Sequence, residues 1–298
     1  MDNGNLVTEN ATQTLATKVW MPKSIKEAYE LKVKYDSNAI LIAGGTLIQL
    51  QREQGNQLPA HLISLEKIDE LKEIHYFRTG SENKVSIGAL SSLAMCMNHP
   101  IIAKEYPIMV EAIKGIASPS IRNRATIGGN VRYGIGDIIP ALLSLDAKVT
   151  WFDGRKYNTN ELSTFLEVMK KDKNIILTQI DIPTKWNGLE PITFYKKVGR
   201  RQAFIPSIVT VSLICSIDLR KKITAVRIAA GGGGTTPKRL VACENKLQDL
   251  VITEALLEDV YDLILEEYKP TGDPFATESY RKSVLANLIV AELEQLIS

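Results

Sequence analysis

"IRNRATIGGN", residues 121–130, ends in two adjacent glycines and an amide, and "LIAGGT", residues 41–46, closes an apolar run with the same glycine pair and a hydroxyl. Glycine tolerates a positive φ and lets a ligand come close to the backbone. Successive N–H groups in such a turn form a nest that holds an anion. Ordinary turn glycines would produce either pattern alone. The two devices lie about 80 residues apart, in different α/β segments of the chain. Pockets often form where two such units meet. A pyrophosphate, with two negative charges and a need for several donors, is the ligand that would use both. Neither stretch has the glycine spacing of the dinucleotide fingerprint or of the Walker loop. A dinucleotide held here is therefore not held by a Rossmann unit.

Working outward from the first glycine pair, Ser24 and Glu27 have the spacing of a capping box, and Ile25, Ala28 and Leu31 mark the apolar face of the helix it would open. Residues 39–43 and 61–65 are short apolar runs of the kind found in strands buried on both faces. Helix, strand, glycine turn, helix, strand is the rhythm of a small α/β unit. A second unit opens near Lys72. It holds a strand in "KVSIGAL", a helix in "PIMVEAIKGIAS", a helix-to-strand passage in "PALLSLDAKVTWF", a hairpin at Asp153-Gly154 and a last strand in "ILTQIDIP". A third unit starts near Thr193, with two β-rich runs, "SIVTVSLICSIDL" and "KITAVRIAAG", reading as an antiparallel pair before two amphipathic helices. The glycine run 231–234 reads as a flexible turn. The expected organisation is thus a flexible N-terminal arm at 1–17 and subdomains at 18–71, 72–186 and 187–298.

Composition bounds what such a chain can do. Its 298 residues exceed one ordinary core and suit two or three compact units. The 36 basic residues nearly balance 34 acidic ones, for a net charge of +2, which argues against a broad nucleic-acid footprint but not against a small anionic ligand. The polar N-terminus lacks a signal-peptide pattern and no apolar run is long enough to span a bilayer, so a cytoplasmic location is expected. Cys96, Cys215 and Cys243 are expected to be small buried residues. Three thiols do not supply the four ligands of an iron–sulfur cluster. His61, His75 and His99 show no metal-ligand spacing, so no metal site is expected. Asp137, seven residues after Asn130, has two open readings: an acceptor for ribose or ribityl hydroxyls, or a cap for the helix that follows.

"LIAGGTLI", "IASPSIRNRATIGGN", "GIGDIIPALLSLDAKV", "FYKKVGRRQAFIPSIVTVS" and "RIAAGGGGTTPKR" occur in the order seen in the FAD-binding subunits of the molybdenum hydroxylases, and from about residue 18 onward the chain resembles that family. The shortened "GGNVRYGIGD" most resembles the purine-catabolism branch, the FAD subunits of Bacillus-type xanthine dehydrogenases. The resemblance implies an α+β fold. Two α/β subdomains of the vanillyl-alcohol-oxidase (PCMH) type would clasp FAD, and a C-terminal antiparallel three-stranded sheet with helices would follow.

The same resemblance implies a set of cofactor-binding positions. Leu41, Ile42, Ala43, Gly44, Gly45, Thr46, Leu47 and Ile48 would wrap the FAD diphosphate through backbone N–H groups. Ile116, Thr126, Gly128, Gly129 and Asn130 would complete the pocket. Asp137 would bind FAD hydroxyls, Leu177 would contact the flavin region, and Lys196 would lie near the isoalloxazine, where a cation favours the reduced anionic flavin. No catalytic acid or base is implied. The expected function is electron transfer, from [2Fe–2S] clusters on a small partner subunit, fed by a molybdopterin-binding large subunit, through FAD to NAD⁺, in a dimer of heterotrimers of xanthine dehydrogenase type. Two departures bear on this. Leu47 stands where many relatives have Asp or Asn, and the loop before Asp137 is short. A self-sufficient flavoenzyme of the same fold and a flavin-free assembly subunit are the competing readings.

Overall fold

In the computed structural model, which describes residues 17–79, 82–184, 191–199 and 207–296, the chain forms three sheets, each with its own helices. The first runs β1 (Lys18–Trp20), α1 (Ile25–Tyr35), β2 (Ala39–Ile42), α2 (Thr46–Glu53) and β3 (His61–Ser64), with strand order β1-β3-β2. All its pairs are parallel, but in β2 only Ala39 is buried and Ile40, Leu41 and Ile42 are half-buried, so the strand is not covered on both faces as its apolar run suggested. Ser24 caps α1 by accepting the Glu27 N–H, and the Glu27 carboxylate reaches back to the Lys23 N–H. Ile25, Ala28, Ala39 and Ile63 form its core together with Phe152 and Ile176 of the next sheet, so the two units share apolar contacts. The arm expected at 1–17 lies outside the described residues except for Thr17.

The second unit comprises β4 (Ile74–Thr79), β5 (Glu82–Gly88), α3 (Leu93–Asn98), α4 (Pro100–Glu105), α5 (Pro107–Lys114), α6 (Pro119–Arg122), α7 (Ile127–Arg132), α8 (Ile139–Ser144), β6 (Lys148–Phe152), β7 (Tyr157–Glu161), α9 (Leu162–Lys171) and β8 (Ile176–Pro183). Its five strands are ordered β4-β5-β8-β6-β7 and every pair is antiparallel. The Asp153-Gly154 hairpin is present, with Asp153 Oδ1 accepting the N–H groups of Arg155 and Lys156. The helices between β5 and β6 cover one face of the sheet and bury Leu93, Met109, Ile127 and Leu142.

The third unit contains β9 (Ile192–Val198), β10 (Val209–Ile217), β11 (Ile223–Gly232), β12 (Thr235–Arg239), α10 (Val241–Leu247), α11 (Glu254–Glu267) and α12 (Glu278–Glu294). Its antiparallel sheet has four strands, β12-β11-β10-β9, where three were expected. The extra strand follows the glycine run, which is a hairpin turn with a firm anchor: the Gly233 N–H donates to the Ser207 carbonyl, and the fully buried Arg281 lies beneath it. One face of the sheet packs on α11 and α12 through Val211, Leu213, Val260 and Leu285. The other rests on α8, where Ser144 and Ser212 share a hydrogen bond and Ile214 and Ala229 enter the middle core. Asp146, just past α8, accepts from Arg227 and Arg239, which adds an ionic seam to this contact. The third unit is therefore seated on the second by both apolar and charged groups.

Candidate functional site

β2 delivers the chain to a turn at Ala43, Gly44 and Gly45, from which α2 begins. Gly45 sits at the helix N-cap with φ of 72°, and no side chain caps the helix. Among the described residues no acceptor meets the N–H groups of residues 44–48; the first helical bond is Gln49 N–H to the Gly45 carbonyl. Helix N-termini normally find partners for these groups in caps, water or ligands. Residues 41–48 are all half-buried, and a Cβ added to Gly45 would meet nothing within 4 Å. The result is a row of free donors at the positive end of a helix, open on one side. That is the donor set a diphosphate requires. Leu47 contributes its N–H to the row whatever its side chain, so its departure from Asp or Asn leaves the donors intact.

The two glycine segments meet. A Cβ on Gly44 would fall 1.8 Å from the Arg124 carbonyl oxygen, so glycine is what lets the turn lie flush on residues 124–125. Behind that contact, Ser118 caps α6, and Arg122 donates to the Ile116 and Ala117 carbonyls at 2.9 and 2.8 Å. Thr126 caps α7 by accepting the Gly129 N–H at 3.0 Å.

The second segment differs from the first in its donors. The Gly128 N–H is bound to the Ala89 carbonyl at 2.9 Å and the Ile127 N–H to the Ser91 carbonyl at 3.0 Å. Together with the Thr126 cap, these bonds occupy the amides at the start of α7. Gly128 is there for close packing, since a Cβ would lie 2.5 Å from the Ala89 oxygen. What this segment can still offer a ligand is the Thr126 hydroxyl proton and the Asn130 Nδ2, because Asn130 Oδ1 accepts from the Ile138 N–H at 3.3 Å.

The remaining expected residues divide. Ile116 and Leu177 are buried in the middle core. Both carboxylate oxygens of Asp137 are engaged by the chain itself: Oδ2 by the Lys197 ammonium at 2.7 Å and Oδ1 by the Ser207 hydroxyl at 2.7 Å. The Tyr195 hydroxyl donates to the Asp137 carbonyl at 2.7 Å. Burial, reinforced by the Asp137 charge, pushes the Tyr195 phenol well above its ordinary range, so it stays protonated. Lys196 is exposed, on the opposite side of β9 from Tyr195 and Lys197. Lys197 is not among the residues the resemblance implies. The signal that would have found it is strand phase, since residues two apart share a face and the Tyr195 hydroxyl donates to the Asp137 carbonyl. The "GRRQAFIP" part of the quoted motif lies outside the described residues except for Gly199.

Among the described residues, no group of three or more His, Cys, Asp or Glu is placed to hold a metal ion, and no helix is long and apolar enough to cross a membrane. All three cysteines are buried free thiols.

Residues 14–185 match the family described as the FAD binding domain in molybdopterin dehydrogenase, and residues 193–296 match the CO dehydrogenase flavoprotein C-terminal domain. The chain is 27% identical to the nicotinate dehydrogenase FAD-subunit of Eubacterium barkeri, over 92% of this chain and 95% of that one. It is also 27% identical to the carbon monoxide dehydrogenase medium chain of Hydrogenophaga pseudoflava, over 90% and 92%. The xanthine dehydrogenase FAD-binding subunit of Escherichia coli O157:H7 is 23% identical over 87% and 89%. The fold superposes on that of the solved Hydrogenophaga pseudoflava carbon monoxide dehydrogenase with a TM-score of 0.82, at 24% identity over 92% of this chain and 95% of that one.

Proposed function

The chain belongs to the FAD-binding medium subunits of the molybdenum hydroxylases, and from that premise we propose that it holds FAD across the Gly44–Gly45 turn and relays electrons to NAD⁺ within a xanthine-dehydrogenase-type complex. The observation that carries this reading is the uncapped start of α2, five consecutive N–H groups with no acceptor among the described residues, beside open space and seated on the second glycine segment. The N–H groups of Gly44 to Ile48 would hold the diphosphate. The Thr126 hydroxyl and the Asn130 amide would approach from the facing unit. Lys196 would lend an exposed cation near the ring. Bound there, FAD supplies the ability to take electrons singly and give them up in pairs. The protein's own task is to position it, to shield it from water and to set the charge around it.

Electrons would come from [2Fe–2S] clusters on a small partner subunit, after oxidation of the substrate at molybdopterin on a large one, in a cytoplasmic dimer of heterotrimers. The partner with molybdenum chooses the substrate, and the relatives' names span nicotinate, carbon monoxide and xanthine. The short loop between Asn130 and Asp137 supports the purine branch, with xanthine as substrate. Purification from the native host with metal and flavin analysis tests the whole assignment. Molybdenum, iron and FAD recovered together, with purine-dependent NAD⁺ reduction, is the expected outcome. A chain that purifies alone and turns over an organic substrate, or that shows no flavin band near about 450 nm after incubation with FAD, overturns it.

A further inference from the structure

A buried cation at the junction of the second and third units has no role in the account above. The Lys197 side chain is 7% exposed and its ion-pair partner Asp137 is 16% exposed. The Lys197 ammonium donates to Asp137 Oδ2 at 2.7 Å and to the Gly115 carbonyl at 3.1 Å, and its third N–H has no acceptor among the described residues. Gly115 ends α5 and directly precedes Ile116. Asp137 directly precedes Ile138, whose N–H is held by Asn130. Ser207 and Tyr195 grip Asp137 from the third unit. A single ammonium thus ties the end of α5, the loop after α7 and strand β9 to one another.

We propose that Lys197 is a positioning cation for the cofactor site. By bridging Gly115 and Asp137 it fixes the spacing of two wall segments, and it keeps the Asp137 charge neutralised within the pocket wall. The proposal rests on the reading that this chain holds FAD. Its physical basis is the cost of a carboxylate buried without a counter-charge. A bare negative charge there would also oppose the negative charge that arrives when the cofactor is reduced. Asp137 then acts through Lys197 as part of the pocket wall, in place of the direct bond to FAD hydroxyls that the resemblance implies.

The test compares the intact chain with Lys197→Met, Lys197→Arg and the double variant Lys197→Met/Asp137→Asn. FAD affinity is read by fluorescence and the flavin midpoint by redox titration. In Lys197→Met the FAD dissociation constant rises ~10-fold or more, the scale of one charged hydrogen bond, and the midpoint becomes more negative. Lys197→Arg keeps the midpoint, and the double variant, having lost both charges, returns to it. A midpoint unmoved in Lys197→Met, or equally displaced in the double variant, overturns the proposal. Should Lys197→Met fail to fold, Ser207→Ala decides: it strips one hydrogen bond from Asp137, and a more negative midpoint supports the role while an unchanged one overturns it. An unaltered chain that takes up no FAD removes the proposal together with the reading beneath it, an outcome visible before any variant is made.

Discussion

Substituting Gly44 and Gly45 by alanine, one at a time, separates the two jobs of the turn. A Cβ on Gly44 would lie 1.8 Å from the Arg124 oxygen, 2.6 Å from its carbonyl carbon and 3.2 Å from the Ala125 Cα. Real Cβ atoms essentially never come closer than 3.0 Å, so the two backbones must part by at least 3.0 − 1.8 = 1.2 Å. The obstacle is main chain and cannot rotate aside. It is held by the Leu93 N–H on the Ala125 carbonyl at 2.8 Å and by the Ala125 N–H on the Ile121 carbonyl at 2.7 Å. Overpacking of this kind costs about 1–3 kcal/mol, and loosening one of those bonds adds about 1 kcal/mol. Gly44→Ala should therefore lower stability by about 2–4 kcal/mol and the melting temperature by roughly 5–15 °C. A Cβ on Gly45 meets nothing, and the cost is the left-handed φ alone, about 1–2 kcal/mol. That methyl group would instead point into the space assigned to the diphosphate.

Melting each variant with and without saturating FAD reads both effects, because a ligand that binds only the native chain raises its stability in step with its affinity. Gly44→Ala should show the larger loss without FAD. Gly45→Ala should stay nearer the parent without FAD yet gain the least when it is added. If Gly44→Ala melts no lower than Gly45→Ala, the flush packing of the two glycine segments is wrong. If both variants gain as much from FAD as the parent, the cofactor does not sit on this turn.

Three further outcomes are expected. Asp146→Ala removes the carboxylate shared by Arg227 and Arg239 at the seam between the second and third units. Since the three groups are between 26% and 33% exposed, the loss should be only about 1–2 kcal/mol, read by denaturant unfolding. The Asp153 carboxyl is held down to about 2 by the N–H groups of Lys156 and Arg155 and the Asn158 amide. A depressed carboxylate favours the folded chain above the ordinary carboxylate range and loses that advantage as pH falls through its own value. This part of the stability should thus be complete at neutral pH and fade between about pH 4 and 2. An NMR titration of Asp153 should find the low value, and Asp153→Asn should flatten stability across that window. Burial pushes the Cys96 thiol up to about 12 and Cys215 up to about 11, and raises Cys243 further with help from nearby Glu267. None of the three should react with a thiol reagent at neutral pH until the chain unfolds, and a stoichiometric fast reaction in the native state would contradict the core assignment.

Much of the fold was legible because its signals are local. The capping pair Ser24 and Glu27, the apolar run at 39–42 and the Asp153-Gly154 hairpin each declare themselves within a few residues, and the antiparallel pair β10 and β11 within one hairpin, Val209 to Gly232. The fourth strand of the third sheet was not legible, because "TTPKR" after four glycines has the composition of a turn and pairs only through its partner β11. The state of the second glycine pair was hidden for a related reason. Its amides are consumed by the Ala89 and Ser91 carbonyls, which sit some forty residues upstream and carry no mark in the sequence. A Gly-Gly-Asn run thus looks the same whether its N–H groups face a ligand or the protein.

The difference between the two segments follows from what each packs against. The turn at 43–45 leaves a short parallel sheet at the carboxyl end of its strand, and among the described residues no carbonyl takes its amides. The turn before α7 enters a helix laid directly on the end of β5, whose following residues supply carbonyls at hydrogen-bonding distance. The candidate site is consequently asymmetric: backbone donors on one side, and on the other a hydroxyl, an amide and the clasp around Asp137. Backbone donors do not depend on side-chain identity, so Leu47 leaves the row of N–H groups unchanged. Side-chain clasps do, and the one-residue choice between Lys196 and Lys197 turns on strand phase. β9 places Tyr195 and Lys197 together toward Asp137, and Lys196 away from it. The cation that meets Asp137 comes from β9, so under the role proposed for Lys197 the C-terminal sheet contributes to the pocket wall as well as supporting it.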